Sequence, residues 1–167
     1  FLCFGLLGGL SSGCTRSEPP DPNPNRPIRI IVDRGPSTLN PRRATDAAGQ
    51  RLGSLLFRAL SRMNSELVPQ PDLAESWAPG KDGKSWVFKI KAGLQDQGDQ
   101  PITAALIRQC LENYRQGKPV SPLQASFPGW RATEATADTV TVRLENPSPY
   151  LPRNFTLLRY FRVRGAS

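Results

Sequence analysis

The stretch Thr15–Pro27 divides this sequence before any other pattern is considered. It reads Thr-Arg-Ser-Glu-Pro-Pro-Asp-Pro-Asn-Pro-Asn-Arg-Pro, with five prolines and no large apolar side chain. Proline fixes φ and has no N–H to give to a ladder. A segment of this kind can neither pair in a sheet nor bury a core, so it stays extended. Folding is thereby confined to residues 28–167, and residues 1–14 must be explained on their own.

The charge and the missing residue types narrow the function classes. The chain carries 22 Lys+Arg against 14 Asp+Glu, a net charge of +8. Such a balance can serve nucleic acid. Here the arginines are scattered, and the densest run, Arg159-Tyr160-Phe161-Arg162-Val163-Arg164, alternates. Period two predicts a strand with one solvated face, so no nucleic-acid partner is expected. There is no histidine, and Cys110 is the one cysteine beyond residue 14. The usual zinc and copper ligands are therefore scarce. The Ser/His and Cys/His pairs of nucleophilic hydrolases are missing. No catalytic residue, metal or cofactor is expected, and the chain does not read as an enzyme.

Residues Phe1–Leu10 are apolar and uncharged. The run is too short to span a bilayer, which takes about 20 residues, but it suits the apolar core of a secretory signal. Ser11, Ser12, Gly13 and Cys14 follow. Small residues before a cysteine resemble the signals of bacterial lipoproteins, in which that cysteine receives the lipid. The resemblance implies lipidation of Cys14 and anchoring to a membrane in the periplasm or at the cell surface. Ser11 departs from the usual leucine, which stands one place earlier as Leu10. No basic segment precedes the apolar run, so the gene product is expected to begin upstream of Phe1. Residues 15–27 then read as a tether.

Local patterns place the elements of the folded part. Ile28-Arg29-Ile30-Ile31-Val32 is a β-branched run that predicts a strand. Leu52, Leu55, Leu56, Ala59 and Leu60 fall on one helix face. Trp86, Phe88 and Ile90 alternate with Val87, Lys89 and Lys91, as do Val140, Val142 and Leu144 with their polar neighbours; both runs predict half-buried strands. Thr103 can cap a helix whose apolar face is Ile107, Cys110, Leu111 and Tyr114. Cys110 is expected to be a small buried thiol. Asp82-Gly83 and Gly93 mark turns. Trp130 belongs to no pattern. Strands and helices interleave, which predicts a mixed α/β layer structure.

One region is more specific. Pro71-Asp72-Leu73-Ala74-Glu75-Ser76-Trp77, Asp82-Gly83, Trp86–Ile90, Lys91-Ala92-Gly93, Gly98 and Pro101-Ile102-Thr103-Ala104 occur in this order within Leu67–Leu111. Together they resemble the signature region of the extracellular solute-binding proteins of the oligopeptide/dipeptide class (family 5) of ABC importers. Thr38-Leu39-Asn40-Pro41 and Ala137–Leu144 with Pro147 and Pro149 extend the likeness. Leu106 stands where the family carries an acidic residue, and Leu94-Gln95-Asp96-Gln97-Gly98 is less apolar than usual.

The resemblance implies that residues 28–167 are an incomplete first lobe of a bilobed periplasmic-binding-protein type II fold. It implies a monomer that captures a peptide or other small solute and delivers it to an ABC permease and its ATPase subunits. The alternative is a sensor or signalling lipoprotein built on the same fold. By position, Thr45, Asp46 and Ala47 correspond to a family segment whose backbone pairs with a peptide. An ordinary surface loop, with Asp46 capping the following helix, is the competing account of those residues.

Overall fold

The computed structural model describes residues 29–162. The signal segment 1–14 with Cys14, the tether 15–27, and Val163 and Arg164 lie outside the described residues. The chain divides into Phe1–Ile31 and Val32–Ser167. Of the first unit only Arg29–Ile31 is described. Arg29–Val32 forms no strand, contrary to its β-branched pattern. Ile31 is 97% exposed, and a strand needs a partner ladder to bond its backbone, which no described residue supplies.

The second unit is built on a four-stranded antiparallel sheet. Its strands are β3 (Ala74–Pro79), β4 (Ser85–Ile90), β5 (Trp130–Ala135) and β6 (Thr139–Leu144), in the order β3-β4-β6-β5. The alternation read in the sequence sets the register. Phe88 lies opposite Val140, and Trp86 opposite Val142. Phe88, Ile90, Val140, Val142 and Leu144 are buried, whereas Val87 and Lys89 are exposed. Between β3 and β4, Asp82 Oδ1 accepts from the Lys84 N–H at 2.9 Å, and Gly83 takes φ +63°. That conformation is cheap only for glycine.

Helix α2 (Ala104–Gln116) covers the inner face of the sheet. Thr103 is its N-cap, accepting from the Leu106 N–H at 3.3 Å. Ile107, Cys110, Leu111 and Tyr114 are all buried, as their spacing requires. Leu106 packs its side chain against the core. An apolar contact thus stands where a carboxylate would have met the helix dipole. The helix also holds the outgoing chain. The Tyr114 hydroxyl donates to the Arg159 carbonyl at 3.0 Å, the Cys110 thiol approaches the same oxygen at 3.7 Å, and the Phe161 N–H donates to Cys110 Sγ at 3.4 Å. Burial pushes the Cys110 thiol up to about 12.

The centre of the core is aromatic. Phe155 follows the short helix α3 (Leu151–Asn154). Its ring lies 5.3 Å from Phe88, 5.2 Å from Phe127 and 5.8 Å from Trp130. Trp130 starts β5 and its indole N–H donates to Thr133 Oγ1 at 3.1 Å, so the indole is buried with its polar edge satisfied.

Helix α1 (Ala47–Leu56) corrects one expectation. It ends at Leu56, and Phe57 is already extended (φ −129°, ψ 142°). The predicted apolar face therefore breaks. Ala59 and Leu60 reach the core from an extended segment, while Leu55 and Leu56 remain 66% and 47% exposed. The helix buries only Gly49 and Gly53. The Arg159–Arg164 alternation is corrected too. Arg159 pairs with Ala59 through a single antiparallel bridge, and Phe161 and Arg162 continue without a ladder. Nor is either alternate set solvated throughout among the described residues Arg159–Arg162, since Arg159 and Phe161 are half-buried and Tyr160 is buried. A small hairpin, β1 (Ser61–Met63) with β2 (Pro69–Pro71), completes the unit.

Replacing Phe155 by alanine is expected to cost about 3–5 kcal/mol, because the ring has large neighbours on several sides that cannot close the cavity. Val87→Ala, on the outer face, should cost under about 1 kcal/mol. Urea unfolding of the two variants checks the contrast.

Candidate functional site

Thr45, Asp46 and Ala47 sit at the start of α1, after a turn organised by polar side chains. Thr38 Oγ1 accepts from the Asn40 N–H at 3.1 Å, and Asn40 Oδ1 accepts from the Arg42 N–H at 3.0 Å. The Asn40 carbonyl accepts from Arg43 and Ala44 at 2.9 and 3.0 Å. These bonds hold the loop against the helix start. Asp46 then closes it. One carboxylate oxygen accepts from the Gly49 N–H at 2.8 Å, and the other accepts from the Ser37 N–H at 3.3 Å and from the Ser37 hydroxyl. The capping role weighed for Asp46 is therefore what its side chain does.

The backbone beside that cap is available. Thr45 and Ala47 are exposed. Asp46 is extended (φ −78°, ψ 155°). Neither the N–H nor the C=O of Thr45 meets a backbone partner among the described residues. A peptide laid alongside would find one unpaired donor and one unpaired acceptor in extended chain.

Two grooves lie further along. The first, of about 920 Å³, runs between α1, the extended segment Phe57-Arg58 and the β1–β2 hairpin, with Leu55, Leu56, Met63, Leu67 and Leu157 on its walls. Arg51, Arg58, Arg62 and Arg159 also line it. Only Arg58 among these four has a carboxylate partner among the described residues. Its Nε donates to Asp72 Oδ1 at 2.8 Å, and Asp72 Oδ2 accepts from the Ala59 N–H at 2.9 Å. The second groove, of about 770 Å³, lies across the ridge Leu56-Phe57-Arg58. The turn Gln95–Gln100, Ile102, Tyr160 and Phe161 form its other wall. Thr45, Asp46 and Ala47 line neither groove; the first begins at Gln50, one turn along α1.

Sequence reasoning missed both grooves. Their walls come from segments about a hundred residues apart. The leucines of α1 had the spacing of a core face, and Asp72 was an unremarked position in a longer motif. Among the described residues no cluster of His, Cys, Asp or Glu could hold a metal ion.

The Ser37 hydroxyl first, and the Gly49 N–H second, hold the Asp46 carboxyl below its ordinary value of 3.8. A depressed folded-state value means stability that is present above the unfolded value and lost as pH falls through the folded one. Asp46→Ala should therefore melt below the parent at about pH 7, with the gap narrowing at about pH 3. Thermal unfolding at the two pH values measures it; a gap that widens in acid would contradict the assignment.

Comparison with known proteins places this geometry. The family model for bacterial extracellular solute-binding proteins, family 5 Middle, matches residues 68–164, which hold the whole sheet and α2. The probable deoxycholate-binding periplasmic protein YgiS of Escherichia coli (strain K12) is 32% identical over 81 residues, covering 48% of this chain and 15% of its own. The oligopeptide-binding protein OppA of Bacillus subtilis (strain 168) is 27% identical over 103 residues, covering 62% of this chain and 19% of its own. Among solved structures, the binding protein MoaA of A. tumefaciens R10, in complex with mannopinic acid, superimposes with a TM-score of 0.68 at 27% identity. It covers 77% of this chain and 28% of that one. The chain thus spans less than a fifth of the two curated relatives. The mixed α/β architecture expected from the sequence is that of periplasmic binding proteins, and the chain belongs to the bacterial extracellular solute-binding proteins of family 5.

Proposed function

We propose that this chain is the amino-terminal part of the substrate-binding lipoprotein of an ABC importer. It captures a peptide or a related small solute outside the inner membrane and delivers it to the permease and its ATPase subunits. The observation that carries this reading is the family match, which coincides with the compact sheet-and-helix unit. The names of the relatives, for an oligopeptide and for deoxycholate, support a small solute as the cargo.

In this reading residues 1–14 are the export signal, Cys14 carries the lipid, and residues 15–27 hold the folded part off the membrane. The protein works as a monomer. Residues 28–167 supply the first part of one lobe. Ligand that touches two lobes favours the closed state, which is the form that docks. The share of binding that falls to this chain is backbone pairing at Thr45, Asp46 and Ala47. Such pairing suits cargo of varied sequence, because every peptide offers the same N–H and C=O groups. Groups that grip charged ends belong mostly to the remainder of the protein, so residues 28–167 alone should bind no peptide in the micromolar range.

Two experiments test the reading. The exported precursor, expressed from its natural start, should incorporate labelled fatty acid, and Cys14→Ser should abolish that; labelling that persists in the variant removes the anchor. In the full gene product, Thr45→Pro takes away the free N–H and should weaken peptide binding about tenfold, roughly one lost hydrogen bond. Thr45→Ser keeps the backbone and should bind like the parent. Calorimetry with a peptide library reads both, and no binding by the parent protein itself would refute the peptide cargo.

A further inference from the structure

Residues 32–57 carry the candidate pairing segment, yet little fastens them to the sheet. None belongs to the apolar cluster under the sheet, whose first member along the chain is Leu60. Helix α1 buries only Gly49 and Gly53. The bonds that shape the loop are internal to it: Ser37 with Asp46, Asn40 with Arg42 and Ala44, and Gln50 with the Ala44 carbonyl. Among the described residues, the hydrogen bonds that leave this stretch all involve Arg42.

Two bonds of opposite sense meet at that residue. Arg42 Nη2 donates to the Pro119 carbonyl at 2.7 Å, and the Ser121 hydroxyl donates to the Arg42 carbonyl at 2.6 Å. Both partners lie in the short link between α2 and the 3-10 helix Pro122–Ser126, 77 and 79 residues along the chain. Ser121 is 2% exposed, and its Oγ also accepts from the Leu123 N–H at 3.3 Å, so the hydroxyl is fixed from both sides. The guanidinium stands at the C-terminus of α2, where a Cβ on Gly117 would come within 2.7 Å of Arg42 Nη2. A helix end of that polarity favours a cation. Arg42 Nε is buried without a partner among the described residues. A free arginine would turn that donor to water; docking at Pro119 holds it inside.

We infer that Arg42 is a positioning residue for cargo binding: it latches the turn before Thr45 to residues 119–121, and so sets where the backbone of Thr45, Asp46 and Ala47 stands relative to the sheet. This rests on the reading of those three residues as the peptide-pairing segment. Thr45 is three residues on from the latch, and buried Ala44 between them leaves little slack. The Asp46 cap fixes the shape of the loop, and Arg42 fixes its place. Backbone pairing depends on both, because a donor displaced by about 1 Å falls outside hydrogen-bond geometry.

Arg42→Ala and Arg42→Lys in the full gene product test it, with hydrogen exchange and peptide calorimetry on the same samples. Alanine removes the latch; lysine keeps a cation and a terminal donor. Arg42→Ala should speed exchange at the amides of Arg43 and Ala44, which donate to the Asn40 carbonyl, about tenfold while β4 is unchanged. Peptide binding should weaken about tenfold, with Arg42→Lys within about threefold of the parent. An arginine with a merely structural role would add its loss to that of Thr45→Pro. A positioning one acts through Thr45, so Arg42→Ala in a Thr45→Pro background should cost under about twofold more. Unchanged exchange at Arg43 and Ala44 overturns the inference. So does full peptide binding by Arg42→Ala while Thr45→Pro still weakens it, a full further loss in the double variant, or a lysine no better than alanine. Failure of the pairing reading looks different: Thr45→Pro then binds like the parent while Arg42→Ala still speeds exchange, which removes the pairing segment and leaves the latch.

Discussion

The pairing of two distant segments at Ala59 is the constraint on which the rest of this unit depends. Ala59 is completely buried. Its N–H is held by Asp72, its carbonyl accepts from the Leu73 N–H at 2.9 Å, and its neighbour Arg58 accepts from Tyr160. A larger side chain would push the outgoing segment at Arg159 away. A lost carboxylate at Asp72 would leave the Ala59 N–H without a described partner and leave the Arg58 guanidinium only its bond to the Asp72 backbone carbonyl at 2.9 Å. From this knot the chain runs out through the hairpin and the sheet, and returns through Phe155 to the place it left.

Between those two passages the energy comes from one apolar layer. The inner face of the sheet and the buried face of α2 are each simple amphipathic surfaces. What makes them specific is the aromatic cluster, in which Phe155 meets residues from β4, from Phe127 just after the 3-10 helix Pro122–Ser126, and from β5. Aromatic pairs at these separations add about 0.5–1.5 kcal/mol each beyond the area they bury. The cluster also fixes where the chain emerges, because Leu158 and Tyr160 are buried a few residues further on.

Local signals were legible in the sequence where the physics is local. The alternation of β4 and β6, the Thr103 cap, the apolar face of α2 and the Asp82-Gly83 turn all depend on neighbours within a few residues. Where a partner lies far along the chain, the same signals mislead. The β-branched run after Ile28 has strand propensity and no described ladder. The leucines of α1 have a core spacing and no described core. Trp130 could not be assigned because Phe155 and Phe127, its partners, share no pattern with it. At the candidate site the sequence offered two accounts of Asp46. The structure realises the cap with the side chain and leaves the Thr45 backbone without a described backbone partner, so the two accounts concern different atoms.

The carbonyl of Arg159 receives the Tyr114 hydroxyl and lies beside the Cys110 thiol, while Phe161 donates back to that sulfur. Mechanically this is a double stitch between a helix and an extended segment, set next to the single bridge that joins that segment to Ala59. A pull along the outgoing chain is loaded in shear across several bonds at once instead of peeling them one at a time. The sheet unit should therefore follow such a pull as a rigid block.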